Sequence, residues 1–223
     1  LPFRTSKDPY RVWISEIMAQ QTQIDTMLPY YARWMEQWPT LEALAVASDE
    51  QLLKAWEGLG YYTRVRNIAK TARLLNAEHR AFPTTAEAMA VLPGIGPYTA
   101  AAIASICFDE KAVAIDGNVY RVVSRYLGLT AVLGSSTLKH QVQTAMTTWM
   151  DTATPSLFTQ AMMELGALVC TPKKPHCDRC PLKLTCNAWA QQTMLDYPVK
   201  PKSKKSPVQT KIIAIYRNEN GQI

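Results

Sequence analysis

Leu92-Pro93-Gly94-Ile95-Gly96-Pro97-Tyr98-Thr99-Ala100 decides the fold of this chain. It reads as a tight glycine turn running into a helix that opens on Pro97, with small apolar residues along the helix that follows. Gly94 and Gly96 are expected to permit positive φ and to leave backbone N–H groups uncovered by side chains. At the start of a helix those N–H groups lie at the positive end of the dipole, an arrangement that binds phosphate without reading base sequence. An ordinary helix–helix turn satisfies the same residues, so at this point both readings stand.

Outward from the turn, nearly every segment has helical texture. Asp8-Pro9 is an N-cap followed by proline at the first helical position, opening a helix to about Gln21. Further helices are expected over 27–37, 41–47, 49–59 and 62–79. Thr84-x-x-Glu87 reads as a capping box for the next. Helices over 97–108, 118–127, 137–150 and 156–169 complete the set. Past Ala190 the texture changes: residues 197–211 hold three prolines and five lysines, a linker composition. Lys211–Arg217 then looks like a strand and Asn218–Gly221 like a turn. An isolated strand is not stable alone, so the end reads as the start of a second domain that has been cut off.

Composition narrows the function. In 223 residues, 48% hydrophobic content is enough for a buried core. No run of 18 apolar residues exists, so no membrane-spanning helix is expected. The chain begins Leu1-Pro2-Phe3-Arg4, without a starting Met or a signal-peptide pattern, as a processed or partial chain would. The net charge of +6 invites a nucleic-acid reading, but Lys200, Lys202, Lys204, Lys205 and Lys211 supply most of it. Removing those five from 24 basic residues leaves 19 against 18 acidic ones, so DNA binding has to be argued from local surfaces.

Four of the five cysteines crowd together as Cys170-x6-Cys177-x2-Cys180-x5-Cys186. Such clustering argues for an intracellular metal site rather than a disulfide framework. Four thiolates suit a cubane iron–sulfur cluster, and equally a structural zinc. Zinc sites usually present two C-x2-C knuckles, and here there is one, so the spacing favours iron–sulfur and leaves zinc open. Cys107, on an apolar helix, reads as a core residue.

Two carboxylates stand out. On a helix through Tyr10–Gln21, Val12, Trp13, Ile14, Ile17, Met18 and Ala19 occupy nearly the whole circumference, and Glu16 falls between Val12 and Trp13. A carboxylic acid removed from water resists ionisation and can serve as a general acid; pairing with Arg11 or Arg4 for structural reasons is the alternative. Asp116, in Ala114-Ile115-Asp116-Gly117-Asn118, is either a plain N-cap or an ionised carboxylate stabilising positive charge on a sugar. Gln20-Gln21-Thr22 and Gly58-Leu59-Gly60-Tyr61-Tyr62 are tips from which a side chain could wedge into a base stack. Packing explains the tyrosines as well. Arg64 and Arg66 would suit phosphates, or a solvated helix face.

Together these motifs resemble the helix-hairpin-helix glycosylase superfamily that includes endonuclease III and the MutY-type adenine glycosylases. The match is strongest to the MutY type in Asp8-Pro-Tyr-Arg-Val-Trp-Ile-Ser-Glu-Ile-Met18, Gln20-Gln-Thr-Gln23, Gly58-Leu-Gly-Tyr-Tyr62 and Met163-Glu-Leu-Gly-Ala-Leu-Val-Cys170. The resemblance implies an all-α, two-lobed fold: a six-helix-barrel lobe over about 20–130, and a cluster lobe made from the N-terminal segment and about 131–196. A linker over 197–210 and the start of a Nudix-like domain over 211–223 would follow. It implies that Cys170, Cys177, Cys180 and Cys186 hold a [4Fe–4S] cluster. Glu16 takes the place of the acid that protonates adenine, Asp116 that of the carboxylate stabilising the sugar, and Tyr98 and Asn118 those of their helpers. Arg4 and Gln160 match adenine-contacting positions, Gln21 and Tyr61 match probes of the opposite base, and Gly94, Gly96 and Thr22 match DNA contacts. Where the family usually has Leu-Pro-Trp-Arg this chain has Phe3, which keeps the apolar wall and loses an indole N–H.

The lyases of the superfamily carry a nucleophilic lysine where this chain has Tyr98, and phenol cannot form a Schiff base. The expectation is therefore a monofunctional, monomeric glycosylase. Its partner would be double-stranded DNA bearing adenine opposite 8-oxoguanine or guanine, met in the bacterial cytoplasm at the nucleoid. An endonuclease III-like enzyme for damaged pyrimidines and a non-catalytic DNA-binding module are the competing readings.

Overall fold

The computed structural model describes residues 6–201 and 219–220. The expected strand over 211–217, and Arg4, lie outside them. Helices dominate, and among the described residues the β structure is a single bridge between Val132 and Val199.

The chain opens with α1 (Pro9–Ala19), started by the Asp8 carboxylate, which accepts from Tyr10 N–H, and by Pro9 in the first turn. Then come α2 (Ile24–Gln37), α3 (Leu41–Ala45) and α4 (Asp49–Ala55), the last begun by a reciprocal capping box of Ser48 and Gln51. α5 (Thr63–Ala77) leads to α6 (Ala86–Ala90), where the cap differs from expectation. Thr85, not Thr84, accepts from Ala88 N–H, because the helix begins one residue later and Glu87 falls in its first turn. α7 (Pro97–Phe108), α8 (Gly117–Leu127), α9 (Ser136–Asp151) and α10 (Pro155–Glu164) follow. The helix expected to continue to Val169 changes pitch: Leu165–Val169 forms a π turn. Short 3₁₀ turns at Cys177–Arg179 and Lys183–Thr185 and a one-turn α11 (Asn187–Ala190) finish the ordered course.

Buried side chains group into two main clusters. The larger runs from Tyr10 to Ile106 and contains α1, whose residues from Val12 to Met18 are all buried. Trp13, Trp34 and Trp56 lie at its centre. The second joins α8, α9 and α10 through Val119, Val123, Leu138, Val142, Met146 and Met162. α7 belongs to the larger cluster and packs on both α1 and α10, buried from Thr99 to Ile106 on every face. A helix apolar all round belongs inside a protein, and its run of alanines lets neighbours approach closely. Ser105 secures α10 against it, donating to the Pro155 carbonyl at 3.0 Å and sharing a 2.6 Å hydrogen bond with Thr159.

Linker composition does not make the first linker residues free. Leu133 N–H donates to the Val199 carbonyl at 2.7 Å, and Arg125 Nε reaches the Tyr197 carbonyl at 3.3 Å. Residues 197–199 are thus fastened to the body before the lysine-rich stretch begins.

Candidate active site

α1 and α7 meet at the glycine turn, and α8 begins across from them. Between these elements opens a cleft of about 760 Å³, lined among others by Glu16, Gln20, Gln21, Thr22, Tyr98, Asp116, Asn118 and Met163. Residues distant in sequence are gathered here because α1 packs on α7 and α10 packs on α7 from the other side. Among the described residues, no lysine lines it.

Glu16 is 4% exposed yet borders the cleft, and the Tyr98 hydroxyl donates to its Oε2 at 3.0 Å. Arg11, one of the two arginines considered as its structural partner, pairs instead with Asp8 at 3.6 Å. Tyr98 sits in the first turn of α7, directly after the hairpin, so the turn that faces DNA in the sequence reading also aims the phenol at the acid.

Asp116 is a helix cap and a cleft residue at once. Its Oδ1 accepts from Val119 N–H at 2.8 Å, starting α8, while Oδ2 accepts from Asn118 Nδ2 at 2.8 Å. The two readings offered by the sequence therefore do not compete. The cap fixes the carboxylate rigidly, and both remain compatible because a carboxylate has lone pairs to spare.

Behind Asp116 lies an arrangement the sequence reading missed. Arg121 Nη2 donates to Asn118 Oδ1 at 2.7 Å and to the Gly166 carbonyl at 2.7 Å, and its Nε donates to the Cys170 carbonyl at 2.8 Å. Asp116 is thus joined through two side chains to the first cysteine of the cysteine loop. The π turn makes this possible by placing Gly166 against Asn118: a Cβ there would lie 2.6 Å from Asn118 Cβ. π turns recur at functional sites because they redirect backbone groups out of the helical ladder. The only trace in the sequence was the i, i+3 spacing of Asn118 and Arg121 on α8.

The hairpin needs a correction. Gly94 has φ +75° and a Cβ would strike Asn67 at 2.5 Å, so glycine is required there. Gly96 has φ −78° and ψ 172°, ordinary extended backbone. What Gly96 contributes is space, since nothing lies within 4 Å of where a Cβ would stand, and α7 starts without a side-chain cap on its N–H groups.

Gln21 and Thr22 line the cleft beside Glu16, and Tyr61 is 64% exposed on the α4–α5 turn. Gln160 is not among the lining residues; its amide donates to the Ser156 carbonyl at 3.1 Å within α10. Arg64, considered as a phosphate ligand, points inward: Nη1 donates to the Ile17 and Met18 carbonyls at 3.0 and 3.1 Å.

Cys170, Cys177, Cys180 and Cys186 are all free thiols lining one pocket with Arg125, Trp189 and Met194. Burial, and after it the neighbouring sulfurs, push the thiols of Cys177 and Cys180 upward. Among the described residues no three His, Cys, Asp or Glu side chains converge closely enough to hold a metal ion. Four thiols lining one cavity are a donor set whose chemistry suits an iron–sulfur cluster. Arg125, 2% exposed, ties the loop down by donating to the carbonyls of Thr171 and Pro172 at 2.8 and 2.9 Å, with Cys170 Sγ at 3.4 Å. Cys107 behaves as a core residue, its thiol pushed up to about 12 by burial.

The chain is similar to known proteins in sequence and in fold. An adenine DNA glycosylase of Rattus norvegicus is 48% identical over 181 residues, covering 80% of this chain and 35% of that protein. One from Buchnera aphidicola of Baizongia pistaciae is 36% identical over 226 residues, covering 98% of this chain and 63% of the relative. The chain thus spans about a third of the rat protein and less than two thirds of the bacterial one. Among solved structures, a thermostable thymine-DNA glycosylase superposes with a TM-score of 0.71 at 24% identity, covering 86% of this chain and 88% of that one. A non-covalent endonuclease III–DNA complex gives 0.66 at 24% identity, with 82% and 85% covered. These two show a common fold. Residues 14–161, most of the chain and including the cleft residues from Glu16 to Asn118, match the HhH-GPD superfamily of base excision DNA repair proteins, and to that superfamily this chain belongs.

Proposed function

We propose that this chain is a monofunctional glycosylase that hydrolyses the N-glycosidic bond of adenine in duplex DNA, where adenine is mispaired with 8-oxoguanine or guanine. The observation that carries the reading is the pairing of a buried acid, Glu16, with a rigidly capped carboxylate, Asp116, in one cleft. Relatives at 36–48% identity are adenine DNA glycosylases.

Adenine leaves poorly as an anion and readily once protonated, so Glu16 delivers the proton as the bond stretches. Tyr98 orients that carboxyl through its hydroxyl. Positive charge gathers on the deoxyribose, where Asp116, fixed by Asn118 and Val119, stabilises it in a site shielded from water. Glu16, now a carboxylate, accepts a proton from the attacking water. With Tyr98 standing where the superfamily's lyases carry a lysine, the site offers no amine at that position to form a Schiff base, and release stops at an abasic site. The hairpin, Gly94 and Gly96 with the open N-terminus of α7, grips phosphate, and Gln21 and Tyr61 probe the opposite base. Arg4 and Gln160 remain proposals as adenine contacts. On this reading the protein acts on chromosomal DNA, and we propose that it does so as a monomer.

Cys170, Cys177, Cys180 and Cys186 would hold a [4Fe–4S] cluster. Bound there, it supplies four cross-links that organise residues 170–186 and hence the support behind Asp116.

The test incubates the protein with duplexes carrying adenine opposite 8-oxoguanine, adenine opposite guanine, or an oxidised pyrimidine, followed by alkaline cleavage of abasic sites. Breaks at adenine alone support the reading. Breaks at the pyrimidine, or covalent trapping by borohydride, would replace it with an endonuclease III-like lyase.

A further inference from the structure

Two exposed tips, one of them lining the cleft, are held in backbone conformations that their residues rarely adopt. Gln21, just past α1, has φ +54°, and Tyr61, between α4 and α5, has φ +47°. Neither is glycine, and the left-handed region penalises a side chain unless its surroundings impose it. The same guanidinium supplies those surroundings for both. Arg64, in the first turn of α5, lies between the tips. Its Nη1 donates to the Gln20 carbonyl at 2.5 Å, with Thr22 Oγ1 at 3.3 Å, so it grips the residues on either side of Gln21. Its Nη2 donates to the carbonyls of Leu59 at 2.9 Å and Gly60 at 3.3 Å, the two residues before Tyr61. The guanidinium carbon also lies 5.6 Å from the centre of the Tyr61 ring and 5.2 Å from that of Trp56. Trp56 in turn donates to the Gly60 carbonyl at 3.0 Å.

Among the described residues, the partners of Arg64 are backbone carbonyls, the Thr22 hydroxyl and two aromatic faces, and no carboxylate pairs with it. A planar fork with donors on two nitrogens can bridge two loops in fixed relation, which a lysine ammonium cannot. Its inward direction matches neither of the two readings the sequence offered, phosphate contact or a solvated helix face.

We infer that Arg64 is a positioning residue that locks the Gln21 and Tyr61 tips into one preformed wedge, so that unstacking of the duplex at the mispair depends on it. The inference rests on the proposed glycosylase reading, in which those tips enter the base stack. Preformation matters because ordering two loops during DNA entry would otherwise cost binding energy.

The test uses Arg64→Lys and Arg64→Met in the full chain. Folding is checked by thermal melting, and DNA affinity is measured across salt concentrations. A 2-aminopurine next to the target adenine reports unstacking by fluorescence, independent of bond cleavage. Both variants should lose most of the fluorescence rise and about tenfold or more in single-turnover excision. They should keep the parent's dependence of affinity on salt, since no phosphate contact is removed. In a Gln21→Ala/Tyr61→Ala background, Arg64→Lys should cost little further, because the side chains it positions are gone. Unstacking by the Lys variant equal to the parent's, a salt slope reduced by about one, or a full further loss in the double-alanine background would each overturn the proposal. Should the parent unstack the duplex without excising adenine, the proposed reaction fails while the fluorescence comparison still judges Arg64.

Discussion

Glu16 shows how one side chain can be read two ways until its neighbours are known. Its place on an almost wholly apolar helix was visible in the sequence; that it borders a cleft and takes a hydrogen bond from Tyr98 was not. Glu16→Gln preserves size and hydrogen bonding but removes the transferable proton. Excision should fall by at least ~100-fold, within the usual range for general acid catalysis, while DNA affinity stays near the parent's because phosphate contacts dominate it. Single-turnover kinetics and a mobility-shift titration separate the two. Gly166 makes a complementary case, since it carries no chemistry. A methyl group there meets Asn118 Cβ at 2.6 Å, and Asn118 holds Asp116. Gly166→Ala should therefore lower the excision rate by roughly 10–100-fold through misplacement of Asp116, with iron content unchanged. Equal loss of iron would mean that the π turn itself had collapsed.

At the scale of elements, the caps depend on contacts that helical periodicity does not reveal. Thr154 precedes α10 without capping it through its side chain. The cap comes from Asp109, 47 residues earlier, whose Oδ1 accepts from Ser156 N–H at 3.1 Å while Oδ2 accepts from Lys7 at 2.9 Å. Asp109 also ends α7 in the left-handed conformation, so one residue closes one helix and opens another. These hydrogen bonds, Ser156 first and then Lys7, hold its carboxyl at about 2, below the ordinary 3.8. A group whose folded value is depressed contributes stability above its unfolded value and loses it as pH falls through the folded one. Asp109→Asn should cost ~1 kcal/mol or less at neutral pH, given its solvent exposure, and the difference from the parent should shrink between about pH 4 and pH 2. Thermal melts at pH 7 and pH 2.5 check this.

The cysteine loop is another element built from outside itself. Its carbonyls at Thr171 and Pro172 are held by Arg125 of α8. Arg125→Met should reduce iron retention and lower the melting temperature, as Cys177→Ser should by removing a ligand. Iron assay and the visible absorbance of the purified protein measure the first effect.

Across the molecule there are two main buried clusters, and the cysteine loop belongs with that of α8 and α9, against which Cys170 packs. Removing iron by chelation should therefore act unevenly. Hydrogen exchange should rise in residues 165–190 and at the start of α8, which Arg121 links to Cys170, while α2–α6 keep their protection. A uniform rise would show that the cluster supports the whole fold rather than one half.

Much was determined by the sequence alone because the relevant physics is local. Helix periodicity, proline at first turns, Asp8 and Asp116 as caps, glycine at 94 and four closely spaced thiols all act within a few residues of themselves. Family membership was legible for the same reason, in short strings around those features. Only tertiary structure decided that Tyr98 points at Glu16, that Gly166 must be small for Asn118, that Asp109 caps a distant helix, and that Arg64 turns away from phosphate toward two loop tips. The linker's first residues, which open a proline- and lysine-rich stretch, are fastened by Leu133 and Arg125 for a similar reason. Each of these depends on which backbone groups from far along the chain arrive unsatisfied at the same place, and a buried donor or acceptor takes whichever partner packing brings to it.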